Sequence, residues 1–377
     1  MILIDGNNIS NINLAIAMSN LLPKFKNQAK LDSEAVADPK DIALVKQGWF
    51  YNTLNDILSL NKKKMVWGAK TLVVFDAPNV WKREMFPQYK SNRRKKNKTS
   101  TPFDKLHQKL LYEFIDELDE VLKMMRIQTW HHRTVTYNDK EFGCEADDVI
   151  GVICMNGDIN DKHLIMSNDG DFKILTNHHV RIYDKNSRKV LDPMPHTHKQ
   201  KYKITTCLKG QAKDGVPSIK FETKLADDFI DFLEEDISPD DTHLFEDLQT
   251  KPASKELVDT FIKMKTEKIE ALIKEGKRKQ LGTISIYAPG DFGDVAVEKF
   301  YNSDWKEVLK SERKWARNFK RNCDLILFER IPREIQDDIL EQVEDIFTVK
   351  KRKILNTIKV QRWLSEHSVP NCSDLIS

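Results

Sequence analysis

Carboxylates that follow directly on apolar runs are the residues of this chain best placed to do chemistry. Ile2-Leu3-Ile4 runs into Asp5, Thr71-Leu72-Val73-Val74-Phe75 into Asp76, and His163-Leu164-Ile165-Met166 into Ser167, Asn168, Asp169, Gly170 and Asp171. Runs of this length read as buried strands, and open α/β folds gather ligands at the C-terminal ends of their strands. A fourth group, Glu145, Ala146, Asp147 and Asp148, heads a helix-like run through Val149, Ile150, Val152 and Ile153. Glu145 and Asp148 share a helical face, with Asp147 expected to point away from them. Carboxylates that converge are costly without a cation, and hard oxygen donors in such number suit Mg²⁺ or Mn²⁺ rather than zinc. Taken alone, the acidic head at 145–148 is better explained by capping and the helix dipole. Carboxylates at three strand ends are not, and they describe a metal-binding rim.

The intervening segments supply the helices that must position this rim. Helical spacing runs around residues 14–22 and 42–60, where Trp49 and Phe50 are expected in the core. Residues 106–125 form a long amphipathic helix with Leu110, Leu111, Phe114, Leu118, Val121 and Leu122 as its buried stripe. Residues 127–130 read as a further strand, Asp5-Gly6-Asn7-Asn8 as a polar turn and 24–40 as a loop. Strands alternating with helices predict an α/β fold with a twisted, mostly parallel central sheet. From Lys203 the character changes. A turn-rich segment, Gly210 to Ile219, leads into a highly charged and mostly helical stretch that includes 256–275, with β-branched residues at 283–288 and a loop at 291–294. A last apolar piece, 324–328, precedes Ile331-Pro332 and helices around 335–347 and 355–364.

With 377 residues, 40% apolar and 32% charged, the chain belongs among soluble globular proteins with ample length for a core. No apolar stretch approaches membrane-spanning length, and Asp5 interrupts the first apolar run too early for a signal peptide. Cys144, Cys154, Cys207, Cys323 and Cys372 are scattered and lack CxxC spacing, so a reducing cytoplasm is expected and neither a disulfide framework nor a zinc ribbon is. The histidine pairs His131-His132 and His178-His179, and His196 with His198, lack cysteine partners or HExxH spacing and are expected on surface turns or edges.

The net charge of +3 conceals segregation. After Asp76 comes a dense basic run, Lys82, Arg83, Lys90, then Arg93-Arg94-Lys95-Lys96, with Trp81, Phe86 and Tyr89 set among the charges. Cations neutralise phosphates and interleaved aromatics stack on unpaired bases, which is the footprint of single-strand or junction binding. The competing reading is a solvated charged loop.

In order along the chain, Leu3-Ile4-Asp5-Gly6-Asn7, Phe75-Asp76 with Tyr89-Lys90-Ser91-Asn92-Arg93, Glu145-Ala146-Asp147-Asp148 and Ser167-Asn168-Asp169-Gly170-Asp171-Phe172 resemble the motifs of the 5′-nuclease (flap endonuclease) superfamily. Lys209-Gly210, Asp214 and Val216 resemble its next motif, which opens a helix-three-turn-helix on duplex DNA. The likeness is nearest to the ribonuclease H group of T-even-type phages, strong over 1–219 and loose over 323–377. Two positions depart from the pattern. Gln211 stands where an Asp is usual and Gly215 where an Asn is usual, and the glycine-rich hairpin of cellular members is absent after Val216.

The resemblance implies a PIN-like nuclease domain over 1–202 with a basic arch at about 80–105, then a helical domain over 203–377. It implies two Mg²⁺ ions, replaceable by Mn²⁺. Asp5, Asp76, Glu145, Asp147 and Asp148 would build the first site, and Asp169, Asp171 and Asp214 the second. Lys90 and Arg93 would act with Asp5 and Asp76 at the scissile phosphate. Lys82, Arg83, Tyr89, Lys90, Arg93, Arg94, Lys95, Lys96, Lys209 and Lys213 would bind nucleic acid. The implied activity is 5′→3′ exonuclease and flap cleavage on DNA and RNA–DNA hybrid, leaving 5′-phosphates and removing RNA primers in phage replication. The implied setting is a monomer in the host cytoplasm, with a single-stranded DNA-binding protein and a sliding clamp as partners. A branched-DNA-binding protein with a weakened metal site and a PIN-type ribonuclease remain as alternatives; the second leaves the basic arch and everything after Lys203 unexplained.

Overall fold

The structure is a computed structural model that describes residues 1–21, 39–61, 67, 70–87, 89–90, 101–157, 161–219, 294–303, 313–348, 357–367 and 369. Arg93, Arg94, Lys95 and Lys96 of the basic arch, residues 24–38 of the loop expected at 24–40, the segments expected at 256–275 and 283–288, and 291–293 of the loop expected at 291–294 lie outside the described residues, while Pro39, Lys40 and Asp294 are helical instead of loop.

Each apolar run ending in a carboxylate forms a strand. β1 (Ile2–Asp5), β2 (Thr71–Val74) and β6 (His163–Met166) are buried along their whole length, as continuous apolar strands covered on both faces must be. With β3 (Gln128–Trp130), β7 (Val180–Asp184) and β8 (Lys189–Val190) they make a sheet of order β3-β2-β1-β6-β7-β8, parallel except for β8. Chain order reverses between β1 and β6. That is the switch point at which open α/β sheets bind ligands.

Register fixes which side chains share a face. Leu3 pairs with Leu72 and Ile165, and Asp5 with Val74, so Asp5 points to the same face as Leu3, Leu72 and Val74. Ile2, Ile4, Val73 and Phe75 point the other way, into a core shared with helices α1 (Gly6–Leu21), α2 (Pro39–Asn61), α4 (Pro102–Met124) and α10 (Thr357–Glu366). Trp49, Phe50 and Phe114 meet edge-on or tilted at its centre. Helix α4 opens on a reciprocal capping box between Thr101 and Asp104. On the Asp5 face, α5 (Ala146–Asn156) packs against β1 and β2.

Two expectations are corrected. Asp5-Gly6-Asn7-Asn8 is not a turn: α1 starts at Gly6, because Asp5 accepts the Asn8 N–H and caps the helix. The segment from Ile331 does not join a C-terminal domain at 203–377 but belongs to the first of two units, made of 1–81, 96–199 and 331–377. The stripe Ile335, Ile339, Val343 and Ile346 of α9 (Arg333–Thr348) needs cover. It finds it on α5, on β3 and on β4 (Thr134–Tyr137), which forms a hairpin with β5 (Lys140–Gly143).

The second unit comprises 82–95 and 200–330. It holds α3 (Lys82–Met85), most of α6 (His196–Lys209), α7 (Asp294–Asn302) and α8 (Arg313–Ile326). Leu208, Ile219, Val297 and Phe300 form its core, and buried Asn322 donates to the carbonyls of Cys207 and Pro217. No helix among the described residues is long and apolar enough to cross a membrane.

Candidate active site

The loops leaving the strand ends are tied together by their own side chains. Asp5 Oδ1 accepts from Asn8 N–H at 3.0 Å and Oδ2 from Ser167 Oγ at 2.9 Å. Ser167 Oγ in turn accepts from Asp169 N–H at 3.1 Å. Asn7 Oδ1 takes the N–H of Asp76 at 2.9 Å, and Asn8 Oδ1 that of Asn168 at 3.1 Å. The residues after β1 thus fix the ends of β2 and β6. Asn7, Asn8 and Ser167 are positioning residues that reading for charge alone passes over. Their signal is a polar side chain within three residues of each strand end.

The head of α5 is brought to the same edge by the chain after β2. Ala77 N–H donates to Cys144 O and Gly143 N–H to Asn79 O, an approach so close that a Cβ on Gly143 would lie 1.9 Å from Pro78 O. Only glycine permits it. Asp76 Oδ1 then accepts the N–H of Ala146 at 2.8 Å. Glu145 occupies the N-cap, yet its side chain makes no capping bond. The cap comes from β2, and capping does not account for Glu145.

Glu145, Asp147 and Asp148 offer carboxylate oxygens that all lie within 4.8 Å of one another. Asp147 therefore joins the other two instead of turning away: its Oδ1 accepts the Asp148 N–H at 2.9 Å, which folds it back over the helix start. Glu145 and Asp148 are buried, and Asp148 Oδ2 accepts from the indole of buried Trp81 at 2.9 Å. Asp169 caps the following 3-10 turn through the N–H of Asp171 at 3.0 Å. Burial, then the charges of Asp76 and Asp169, push the Asp5 carboxyl up to about 7 from 3.8, against the hydrogen bonds from Asn8 and Ser167. A buried carboxylate beside other carboxylates is one whose ionised form a cation would favour. The all-oxygen donor set fits a hard divalent ion.

In the second unit Asp214 is buried and pairs with Lys90, Nζ to Oδ1 3.5 Å, while Lys90 N–H donates to Asp214 O at 2.8 Å. Lys82 and Tyr89, expected at a nucleic-acid surface, are buried. The Tyr89 ring lies 5.5 Å from the Lys82 ammonium and 5.4 Å from that of Lys90, so it stacks on cations of its own chain. Trp81 is likewise enclosed. Arg83 is half-buried with its Nε near Tyr89 O, Lys209 is half-buried and Lys213 exposed. Gln211 and Val216 bridge through paired backbone bonds around a 3-10 turn at Ala212–Asp214, which Gly215 closes at φ 68°. Asn and Gly are the residues that tolerate that conformation. Gly215 in place of the usual Asn therefore keeps the turn.

The family model of the 5′-3′ exonuclease N-terminal resolvase-like domain matches residues 2–205. The chain belongs to the 5′-3′ exonuclease family. The matched region contains every strand of the main sheet and each carboxylate of the strand-end rim. Among solved structures, the bacteriophage T5 D15 protein co-crystallised with metal ions is similar at 14% identity, over 92% of this chain and 98% of that one, with a TM-score of 0.46. The bacteriophage T5 D15 flap endonuclease in a pseudo-enzyme-product complex with DNA and metal ions is similar at 15% identity, over 92% and 98%, also at 0.46. The T5 5′-exonuclease with bound zinc is similar at 18% identity over 82% and 98%, at 0.40. No curated protein sequence matches.

Proposed function

We propose that this exonuclease is a Mg²⁺-dependent phosphodiester hydrolase that degrades DNA and RNA–DNA duplexes from 5′ ends and cuts 5′ flaps. In this reading it leaves 5′-phosphates and removes RNA primers during phage DNA replication. The observation that supports it is the convergence of Asp5, Asp76 and the Glu145–Asp147–Asp148 cluster on one sheet edge, with the Asp5 carboxyl pushed up to about 7 by burial and by its acidic neighbours. Divalent ions, when bound, neutralise phosphate oxygens and make water ionise near neutral pH. Asp5, Asp76, Glu145, Asp147 and Asp148 would hold one ion, and Asp169 and Asp171 would contribute to a second.

The chain's own residues do the rest. Asn8 and Ser167 hold both oxygens of Asp5 in place, so that Asp5 gives up its proton on taking a cation without a change of rotamer. Trp81 fixes Asp148 through Oδ2, and the Ala146 N–H fixes Asp76 through Oδ1. Lys90 and Arg93 supply positive charge to the nucleic-acid backbone, with Arg94, Lys95 and Lys96 adding to its attraction.

The test uses 5′-labelled flap, nicked duplex and RNA–DNA hybrid, with Mg²⁺ and with EDTA. Asp76→Asn keeps the acceptor for Ala146 N–H and removes the charge. Metal-dependent cleavage to 5′-phosphates by the natural protein, and none by Asp76→Asn at near-normal flap affinity, is expected. Turnover in EDTA, or at the natural rate by Asp76→Asn, overturns the reading.

A further inference from the structure

Apart from the strand-end carboxylates, a second group of ligand-type side chains meets where β3 runs out beside α4. His131 Nε2 lies 3.4 Å and His132 Nε2 3.2 Å from one oxygen, Asp116 Oδ1, and the three ligand atoms all lie within 4.8 Å of one another. The histidines are adjacent in sequence and still face the same point. His132 adopts a left-handed backbone, φ 54°, which brings its ring against that of His131 with centroids 3.7 Å apart. A non-glycine residue in that region is uncommon and asks for a cause.

Behind His131 stands Asp119, three residues along the helix from Asp116. His131 Nδ1 is 3.3 Å from Asp119 Oδ2. Thr129 Oγ1 and Lys123 Nζ hold the same carboxylate, each at 2.5 Å. His131 Nδ1 thus faces Asp119 at ion-pair distance, without a hydrogen bond in this conformation, while Nε2 faces Asp116; a carboxylate in that place is what orients metal-bound histidines. The His131 side chain is 6% exposed, so this orientation is set by packing.

Pairing of His132 with Asp116 and of His131 with Asp119 accounts for part of the cluster, but not for His131 Nε2, which faces Asp116 as well. Tetrahedral ligands at bond lengths of about 2.0–2.1 Å stand about 3.3–3.4 Å apart, close to the spacing of both nitrogens from Asp116 Oδ1.

We propose that Asp116, His131 and His132 form a site for a transition-metal ion of the Zn²⁺ class, with Asp119 positioning His131. Two imidazoles and one carboxylate favour such an ion over Mg²⁺, which distinguishes the site from the all-oxygen rim. It pins the end of β3 to α4. The His131 ring also packs edge-on against Phe75 at 5.2 Å, the residue before Asp76.

The proposal does not rest on the nuclease reading, and its test needs no substrate. Full-length protein stripped with a chelator is titrated with Zn²⁺ against a chromophoric competitor in a large excess of Mg²⁺, and with Co²⁺ followed by visible absorption. One Mg²⁺-resistant Zn²⁺ equivalent and a tetrahedral Co²⁺ spectrum are expected. His132→Asn, which suits the left-handed backbone, and Asp116→Ala should both abolish them while leaving the thermal melt of the metal-free protein in place. Asp119→Asn should weaken Zn²⁺ by about 10–100-fold. Absence of that equivalent in the natural protein, or equal Zn²⁺ affinity in His132→Asn and Asp116→Ala, overturns the proposal.

Discussion

The indole N–H of Trp81 donates to Asp148 Oδ2 at 2.9 Å, and both side chains are enclosed by the protein. An aromatic residue at the start of a basic run reads as a base-stacking platform, but this ring braces a carboxylate of the candidate metal cluster. Trp81→Phe keeps most of the ring and removes the donor. Leaving a buried carboxylate short of a partner costs about 1–3 kcal/mol, visible as a lower urea midpoint, and the Mg²⁺ titration of cleavage should move to higher concentration. Unchanged stability with weakened single-strand affinity would restore the stacking role.

Asp5 gives the metal-free protein one specific pH dependence. Its folded-state value of about 7 lies above the ordinary 3.8, so between the two the folded protein keeps a proton that the unfolded chain has released. The stability that Asp5 contributes is therefore full below about pH 4, declines as pH rises towards 7 and levels off above it, by at most about 4 kcal/mol. Thermal melts in chelator from pH 5 to 8 should show the fall, Asp5→Asn should flatten it, and Mg²⁺ at pH 8 should reverse it by competing with the proton. His163, which burial lowers to about 4 from 6.5, opposes the fall below about pH 6.5, so the difference between the two proteins is the measure, and equal slopes in the natural protein and Asp5→Asn would contradict the origin assigned to the shift.

How legible these features were depends on whether they are local. Asp5, Asp76 and Asp169 stand out because burial on both faces makes their strands uniformly apolar, and a charge that ends such a run is conspicuous. The stripe of α4 is equally plain. What covers a surface is not local: the stripe of α9 is readable, but its partners, β3, β4 and α5, lie some 200 residues upstream. The β4–β5 hairpin itself left a signal in Asn138-Asp139, both in the left-handed region that a two-residue turn requires. His131-His132 is read as an edge because its partners Asp116 and Asp119 lie on another element, and their three-residue spacing means nothing until β3 lies beside α4.

The basic arch is testable through its four central cations. Replacing Arg93, Arg94, Lys95 and Lys96 with Ala should weaken flap binding and flatten the log–log salt dependence by about 0.7–0.9 for each phosphate that is no longer neutralised. Fluorescence anisotropy at several salt concentrations measures that slope. A weaker complex with the natural slope would point to a structural effect, and no change to a solvated loop.

Asp214 ends a 3-10 turn, Ala212–Asp214, whose shape depends on glycine. Gly215 closes it at φ 68°, and Gly210, at φ 72°, ends α6 with its N–H on Thr206 O. The turn also receives the Lys90 loop through Lys90 N–H on Asp214 O, so its shape sets where the Lys90–Asp214 pair stands. A left-handed conformation costs an ordinary L-residue about 1–2 kcal/mol, and Asn much less. Gly215→Asn should thus lie within about 0.5 kcal/mol of the natural protein, while Gly215→Ala should lose about 1–2 kcal/mol in urea unfolding. Gly210→Ala should lose more, because its Cβ would stand 2.2 Å from Val216 O and 2.5 Å from Pro217 O, both backbone atoms that cannot rotate aside. If Gly215→Ala unfolds at the natural midpoint, the left-handed turn is not what holds Asp214 against Lys90.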